Sequence, residues 1–536
     1  MTNKSFFKDF EESLFFNRLW NTIAQNQNIK LKGLIGSSLA FYCSSILKKS
    51  QKPSLFIFNT KEESLYFLND IETLNPEKQI YYFPEILSEA YSSKGPNNYN
   101  LLQRTELIEH LNFSKNKNSI VVTHVNAIAV NQINKKEIKR NSISLKLNQN
   151  ISFDKLNEQL FELEFRREDF VVEPGEFAVR GGILDIFPYS SQTPFRIEFF
   201  GDEITRIRSF DIETQRSEQT HSAVKIISNI QVSNTSKNIQ NIFEILFDET
   251  SIFLQSLNLF NSELEKIIDL AKVNYEKCNN KHEFVSPENL YVDIDSVNKK
   301  IQAFKIIEFN SISSSVDFRI NIKPQPSFNK SFNLLFEDLA KKKSEGYKVN
   351  LCCTNNQQKN RLKQIFEDLD NEDIVEPIIL PLSAGFIDAD QKIIYYTDHQ
   401  IFERYHKFRF RKRFNNKLSI ALKQINNLSK GDYVTHIDHG IGKYGGLQKI
   451  EIDGKMQESI KIIYGERDVL FLSIHAIHKI SKYNGKDGKV PKLYKLGSRA
   501  WALLKQKTKK NVKKIAYDLI KVYAERKQKT GFKYDK

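Results

Sequence analysis

The stretch of residues 175–217, GEFAVRGGILDIFPYSSQTPFRIEFFGDEITRIRSFDIETQRS, constrains the fold more than any other part of the chain. Residues 195–199 read Phe-Arg-Ile-Glu-Phe, and this alternation of apolar and charged residues is the pattern of a strand with one buried face. The Gly-Gly and Gly-Asp pairs within the stretch supply turns between such strands. The sequence therefore predicts a small antiparallel sheet here, with a charged outer face.

The chain has 536 residues, which is more than one hydrophobic core supports, so about three to five domains are expected. No apolar run reaches membrane-spanning length, and the N-terminus lacks the pattern of a signal peptide, which predicts a cytoplasmic protein. The four cysteines are Cys43, Cys278, Cys352 and Cys353. Their spacing is not that of metal ligands, so we expect a reduced protein without a metal site.

The positive charge of the chain is concentrated in its last quarter. Residues 401–536 hold 33 Lys and Arg against 12 Asp and Glu, whereas residues 1–400 hold 47 against 53. A basic block of this kind attracts nucleic acid or an acidic protein surface, which makes DNA a candidate partner. The alternative is that the block only keeps the protein soluble.

Apolar segments alternate with amphipathic ones along most of the chain, which predicts a multidomain α/β protein with parallel sheets. Thr60 and Glu63 predict a capping box at the start of one helix. Residues 311–315 and 324–327 are turn-prone and predict a linker. The expected units are an α/β part (1–150), a β-rich domain (151–232), a second α/β part (233–320), a small α/β domain with a basic connector (328–420), an SH3-like or Tudor-like β-barrel (428–497) and a basic helix (498–536).

A glycine-rich loop precedes the first apolar helix, at the place where a nucleotide-binding α/β domain has its phosphate loop. It reads GLIGSSLA, from Gly33 through Gly36 to Leu39 and Ala40. Leu39 stands where a phosphate loop has the lysine that contacts the terminal phosphates, and Ala40 stands where the magnesium-binding hydroxyl belongs. Backbone amides alone make only a weak anion site. We therefore expect no ATP and no Mg²⁺ at this loop.

The β-rich stretch is similar to a known domain. Its motifs RGGILDIFP and RIEFFGDEITRIRSFD resemble the second domain of the UvrB excision-repair family and the matching domain of the bacterial transcription-repair coupling factor (Mfd) family. The resemblance implies a docking surface for UvrA, and it implies contact positions at Arg180, Arg196, Glu198 and Phe200. The alternative is that Arg180 and Arg196 only form surface salt bridges.

The same resemblance explains the glycine-rich loop. UvrB proteins have G-x-T-G-S-G-K-T there, whereas coupling factors have a UvrB-like module with a degenerate loop. Residues 81–85, YYFPE, match the sequence that precedes the long aromatic hairpin of UvrB, but only a short polar segment follows. The resemblance therefore implies a UvrB-like module, interrupted by the UvrA-binding type of domain, that lacks the hairpin with which UvrB grips damaged DNA.

Residues 431–447 read GDYVTHIDHGIGKYGGL, and short strand-like segments follow, which predicts the small barrel. His436 and His439 lack a third ligand at metal spacing, so a histidine bonded to the turn backbone is the expected arrangement. The pattern resembles the RNA polymerase interaction domain of the coupling factors, which is related to CarD-type regulators. That resemblance implies pairing of an edge strand with the polymerase β subunit, through Leu447, Lys449, Ile450 and Ile452. The alternative is that Ile450 faces the barrel core.

From residue 501 onwards apolar residues recur at helical spacing among many lysines, which predicts a basic helix. In the coupling factors a helix in this position leads into a superfamily-2 motor with a Walker A loop and a DE-x-H box, and neither motif occurs in this sequence. The resemblance thus implies the non-catalytic front half of a coupling factor. It would bind stalled RNA polymerase and recruit UvrA, without ATPase activity of its own. The alternatives are a freestanding CarD-like regulator and an active UvrB-like helicase.

Overall fold

The structure is a computed structural model. It describes residues 11–515 except 12, 27, 87–90, 92–96, 213, 234–235, 237, 279–280, 282–283, 312–314, 330, 370–374, 405–427, 453–454, 466–467, 474–478, 484–490, 498–500, 502 and 513, together with the backbone but not the side chains of 449, 451–452, 455–458 and 473. No helix in the described part of the chain is long and apolar enough to cross a membrane. The predicted basic connector at 406–417 lies outside the described residues.

The first part of the chain alternates helices with strands, as predicted. Its elements are α1 (Leu14–Gln25), β1 (Asn28–Lys32), α2 (Ser38–Ser50), β2 (Ser54–Phe58), α3 (Lys61–Leu74), β3 (Ile80–Phe83), α4 (Asn98–Phe113), β4 (Ile120–His124), α5 (Val125–Ile128), β5 (Gln132–Ile133) and α6 (Lys135–Arg140). The predicted capping box is present at α3, since the Thr60 hydroxyl accepts the Glu63 N–H and the Glu63 carboxylate accepts the Thr60 N–H.

A β-rich insertion follows. Its elements are β6 (Ser142–Lys146), α7 (Phe153–Glu162), β7 (Arg166–Arg167), β8 (Glu176–Arg180), β9 (Ile183–Phe187), β10 (Phe195–Phe200), β11 (Glu203–Phe210), β12 (Ser217–Thr220) and β13 (Ala223–Ile227). Strands β7 to β12 form a six-stranded sheet in chain order, antiparallel from β8 onwards, and β6 pairs with β13. The apolar residues of the alternating pattern form the core, because successive side chains of a strand point to opposite faces. We call this unit the inserted domain.

The chain then returns to the first sheet. The next elements are β14 (Ile239–Gln240), β15 (Ser251–Leu254), α8 (Leu257–Glu276), α9 (Pro287–Leu290), α10 (Ile294–Ile301), β16 (Lys305–Glu308), β17 (Phe318–Arg319) and β18 (Ile322–Pro324). Strands from both sides of the insertion form one parallel sheet in the order β17-β1-β16-β15-β2-β4-β3. The parallel sheet is thus completed only after the inserted domain.

Two short strands lie between the segments 311–315 and 324–327 that the sequence predicts as a linker, and the second strand ends at Pro324. Strand β17 pairs with β1 in the first sheet, and β18 pairs with β21 (Phe386–Asp388) in the next one. The turn-prone composition hid these two short strands. Pro324 fits at the end of β18 because β18 is an edge strand, where a missing N–H costs no ladder hydrogen bond.

The second α/β unit is built from α11 (Phe332–Ser344), β19 (Lys348–Cys353), α12 (Asn356–Asp368), β20 (Ile378–Ile379), β21, β22 (Ile393–Thr397) and α13 (Asp398–Ile401). Its sheet has the order β18-β21-β22-β19-β20. Helix α2 of the first domain packs on this sheet as well, so residues 38–47 are all buried. Phe41 illustrates this, with its ring centroid 5.4 Å from that of Phe386 and 4.4 Å from that of Tyr395. The two α/β units therefore share one hydrophobic core.

The last described sheet comprises β23 (Tyr433–His436), β24 (Gly440–Ile452), β25 (Lys455–Ile463), β26 (Val469–Ser473) and β27 (Ile480–Lys482). It is antiparallel, with the order β26-β25-β24-β23-β27, and we call it the C-terminal sheet. The chain is thus a mixed α/β protein with several sheets, as expected.

Candidate partner-binding surfaces

The outer face of the inserted domain is built around a buried carboxylate. Asp185 on β9 is 1% exposed, and its two oxygens lie 2.7 and 2.8 Å from Nε and Nη2 of Arg196 on β10. Arg180 at the end of β8 donates to the same carboxylate. Bidentate pairing of this kind fixes a guanidinium in one orientation. The predicted contact residues Arg180 and Arg196 therefore lie together, but both are committed to Asp185 and only 16% and 12% exposed.

The rest of this face carries a second charge cluster and an apolar tip. Glu198 on β10 pairs with Arg206 and Arg208 on β11. Phe200, at the end of β10, is 81% exposed beside the turn at Gly201. We call the six charged residues named here and above the charged face. It offers a partner a basic, hydrogen-bonding sheet surface with one aromatic side chain at its edge.

The second predicted surface is an edge of the C-terminal sheet. Residues 447–452 of β24 pair with β25 on one side, whereas β23 contacts β24 only at 440–443. The other edge of 447–452 has no strand beside it among the described residues. Leu447 and Ile450 are half-buried, and the side chains of Lys449 and Ile452 lie outside the described part of the chain. Such an edge presents backbone groups that an added strand can pair with.

In the turn at 436–439, one ring nitrogen of His436 is bonded to the turn backbone, as the sequence predicts. Nδ1 of His436 accepts the N–H groups of Asp438 and His439 at 3.1 and 3.2 Å, which places the ring proton on Nε2. Burial and the neighbouring His439 ring lower the pKa of His436 to about 4, so it is neutral at pH 7. The described residues contain no cluster of three or more potential metal ligands.

The glycine-rich loop lies between β1 and α2, as predicted, and three of its backbone amides have partners within the protein. The N–H groups of Gly33 and Leu34 donate to Oδ1 of Asn310 at 3.1 and 3.0 Å. The N–H of Ile35 donates to the Ser38 hydroxyl at 2.9 Å. Backbone amides cradle the phosphates in nucleotide-binding loops. Here these three donate to side chains of the protein itself.

The second α/β unit closes over the same loop. The N–H of Ala384 donates to the Ser37 hydroxyl at 3.0 Å, and the Ser383 N–H donates to Asp70 of α3 at 2.7 Å. A Cβ on Gly36 would lie 3.0 Å from the Cβ of Ala384. Asp70 is wholly buried, and the loss of solvation raises its pKa to about 6. The loop thus serves as a packing junction between the two α/β units.

Leu39 and Ala40 belong to this junction, since both are buried in the shared core. A cavity of about 440 Å³ remains beside Leu39, at the carboxyl ends of the parallel strands, with Leu34, Phe58, Phe67 and Phe309 among its lining. The lining includes no lysine in the described part of the chain. The acidic and basic side chains of the lining are Glu63, Asp70, His399 and Arg404, so no lysine takes the place that it has in a phosphate loop among these residues.

Sequence reasoning missed three residues that organise these sites: Asp185, Asn310 and Asp70. The alternation in residues 183–187, ILDIF, could have placed Asp185 on the outer face with Arg196. No local signal identifies Asn310 or Asp70, because their partners lie hundreds of residues away in the sequence.

Comparison with known families agrees with the motifs. Residues 143–231 match the UvrB interaction domain, which covers nearly all of the inserted domain. Residues 428–484 match the CarD-like/TRCF RID domain, which covers the C-terminal sheet.

The chain is also similar to curated proteins over most of its length. It is 27% identical to the transcription-repair-coupling factor of Bacillus subtilis, over 94% of this chain and 49% of that protein. The corresponding factor of Haemophilus influenzae is 25% identical, over 95% of this chain and 50% of that protein. The chain thus spans about half the length of these relatives. The resemblance indicated by the motifs is confirmed, since the chain matches both domain families and is similar along nearly all of its length to about half of a transcription-repair-coupling factor.

Proposed function

We propose that this chain is the adaptor portion of a transcription-repair coupling factor. It binds stalled RNA polymerase with the C-terminal sheet and recruits UvrA with the inserted domain, so that nucleotide excision repair begins at the stall site. The observation that carries the proposal is the presence, in one chain, of matches to the UvrB interaction domain and to the CarD-like/TRCF RID domain. A protein with both surfaces can hold its two partners at once in the cytoplasm.

On the polymerase side, residues 447–452 add to an exposed strand of the β subunit. Their open edge supports this role, because strand addition draws its affinity from backbone hydrogen bonds. The half-buried Ile450 is the central apolar contact, flanked by Leu447, Lys449 and Ile452. The antiparallel five-stranded sheet also supports assignment of the unit as an SH3-like or Tudor-like barrel.

On the UvrA side, the contacts are Arg180, Arg196, Glu198 and Phe200. Phe200 supplies an apolar anchor and the arginines supply forked donors for carboxylates or carbonyl groups. Their pairing with Asp185 holds the guanidinium groups in place before the partner arrives.

The basic end of the chain would contact DNA and lead towards the motor of the coupling factor. Residues 503–512 are helical, and their lysines are exposed, which supports this placement. Nε1 of Trp501 donates to the Ile437 carbonyl at 3.1 Å, as does Nζ of Lys505. These bonds tie the start of the basic helix to the turn of the C-terminal sheet. ATP-dependent translocation belongs to the motor, and the loop at 33–40 is structural.

The test is a three-component binding experiment with purified UvrA, the RNA polymerase β subunit and this chain immobilised. The adaptor binds each partner alone and both together. A CarD-like regulator would bind only polymerase, and a UvrB-like enzyme would hydrolyse ATP. Failure of the folded chain to retain either partner would overturn the adaptor role.

A further inference from the structure

The segment 170–172 of the inserted domain joins two hydrophobic cores. Val171 is fully buried in a cluster that includes Leu102 of α4 and Ala178 of β8. Its neighbours Phe170 and Val172 are 2% and 0% exposed and point the opposite way. The three consecutive residues are thus buried in two different clusters.

Phe170 and Val172 belong to the core of the C-terminal sheet. They cluster with seven buried residues of that unit: Val434, Tyr444, Ile460, Ile462, Tyr464, Leu472 and Ile480. Leu447, at the start of the proposed polymerase-contact strand, packs against the same cluster. Two large apolar side chains removed from water make undocking of the sheet costly.

The same segment also holds Arg180. Nη1 of Arg180 donates to the carbonyl of Asp169 at 3.1 Å, and its guanidinium carbon lies 5.6 Å from the centroid of the Phe170 ring. Glu176 fixes the far end of the segment, because its Oε2 accepts the N–H groups of Val172 and Glu173 at 3.0 and 2.9 Å. A residue assigned to UvrA docking is therefore positioned by a segment anchored in the C-terminal sheet.

We propose that docking of the C-terminal sheet on Phe170 and Val172 positions Arg180 and thereby strengthens UvrA binding at the charged face. This inference rests on the proposed function. When the sheet is docked, Asp169 and Phe170 hold the Arg180 guanidinium in the charged face. When it is released, Arg180 keeps its bond to Asp185 but loses the support of Asp169 and Phe170, and the partner must complete the ordering of Arg180 as it binds. The linkage is reciprocal, so UvrA bound at the charged face stabilises docking of the C-terminal sheet by the same factor.

The docking itself is tested without any partner, by hydrogen exchange of the whole chain. Phe170→Ser should speed exchange of the amides at 169–173 and leave strands β9 and β10 protected. Leu470→Ser, which weakens the same cluster from the C-terminal sheet, should have the same effect at 169–173. Phe161→Ser is the matched control, because Phe161 is 53% exposed on α7 of the same domain. Unchanged exchange at 169–173 in both cluster variants would overturn the docking.

The coupling is tested by a double-mutant cycle on UvrA affinity. Phe170→Ser should weaken UvrA binding about five- to tenfold, and Phe170→Leu, which keeps the apolar anchor, should restore most of the affinity. In the Arg180→Ala background Phe170→Ser should have no further effect, because Phe170 acts as a positioning residue for Arg180. Equal losses in both backgrounds, or no loss at all, would overturn the coupling. No UvrA binding by the folded native chain would overturn the proposed function and the coupling with it, whereas the exchange experiment still decides the docking.

Discussion

Asp70 shows how one buried carboxylate can link two units of this chain. It accepts the N–H of Ser383 and the side-chain amide of Asn69, and the Ser383 hydroxyl also donates to it. These bonds lower its pKa, but burial dominates and raises the pKa to about 6. A group with a raised folded pKa stabilises the fold most below its unfolded pKa, and that contribution is lost as the pH rises through the folded value.

Asp70→Asn should therefore become more favourable as the pH rises. At pH 4 the variant and the native chain should have similar stability, since Asp70 is then largely protonated. At pH 8 the variant should be the more stable by up to about 3 kcal/mol, because asparagine keeps an acceptor and a donor for Ser383 without ionising. Thermal unfolding at both pH values is the measurement. If the difference in stability did not widen with pH, the raised pKa of Asp70 would be contradicted. Asp154→Asn, at an exposed position, is the control and should show no such widening.

Phe200 is the cleaner probe of the charged face. Removing Arg196 would leave Asp185 buried with fewer partners, so a loss of binding could reflect a loss of stability. Phe200→Ala removes an exposed side chain. We expect it to leave the Tm within about 1 °C and to weaken UvrA binding by about 1–3 kcal/mol, as for an interface anchor.

Calorimetric titration of UvrA into the native and variant chains measures this effect. Phe161→Ala is the control, since it removes another exposed aromatic side chain of the inserted domain. Equal affinities for native chain and Phe200→Ala would remove Phe200 from the interface.

For single residues, the sequence predicts the face of a strand on which a side chain lies better than it predicts which residues that side chain contacts. The period of two placed Arg196 and Glu198 on the outer face of β10, and three of their four cross-strand neighbours are charged, the exception being Ile183. It did not reveal that Arg180 and Arg196 share one carboxylate, because strand register depends on turns and on the whole domain. The salt-bridge alternative is therefore realised within the domain, and the docking role of the two arginines stays a prediction.

Among the elements, strand β24 makes the most direct prediction. Ile450→Arg should weaken binding of the polymerase β subunit by about 2–4 kcal/mol, because it places a charge in an apolar strand-pairing contact. Phe471→Arg is the matched control: Phe471 is 43% exposed on β26, at the opposite edge of the same sheet. Binding assays with both variants, with circular dichroism to verify the fold, measure the effect. Equal weakening by the two variants would show that β24 is not the contact strand.

The loop between β1 and α2 makes a second prediction at this scale. MgATP at millimolar concentration should leave the Tm of the chain unchanged, and no ATP hydrolysis should be measurable with or without DNA. A ligand that binds the folded state raises the Tm according to its concentration and affinity, and the loop amides here already donate to Asn310 and Ser38. A stoichiometric, magnesium-dependent ATP complex detected by calorimetry would contradict this account of the loop.

The elements themselves could mostly be predicted, and the exceptions have a common cause. Helix α3, for example, begins at the capping box that the sequence predicts. Strands β17 and β18 were missed because each has only two or three residues, and they form by pairing with β1 and β21 rather than by intrinsic preference.

In the whole molecule, the contact between the two α/β units decides the environment of α2. An ordinary surface helix has one apolar face, whereas residues 38–47 are buried all round because a sheet packs on each side. The sequence SLAFYCSSIL shows small and apolar residues on all faces, which is compatible with this position. It does not say which unit supplies the second sheet, since that depends on residues beyond 380 folding back over the loop.

The shared core predicts that the two α/β units unfold together. Phe41→Ala should lower the free energy of unfolding by about 3–5 kcal/mol. The free energy of opening measured by hydrogen exchange should fall by the same amount at amides of β4 in the first sheet and of β22 in the second. The reason is that Phe41 contacts Phe386 and Tyr395 from the second unit while it lies on a helix of the first. Native-state hydrogen exchange resolved by residue measures both strands in one experiment. Leu156→Ala, in the separate core of the inserted domain, is the control. It should leave the amides of β4 and β22 as protected from exchange as they are in the native chain. If Phe41→Ala reduced protection in only one of the two sheets, the units would be independent. The closure of residues 383–385 over the glycine-rich loop would then be a contact that opens without unfolding either unit.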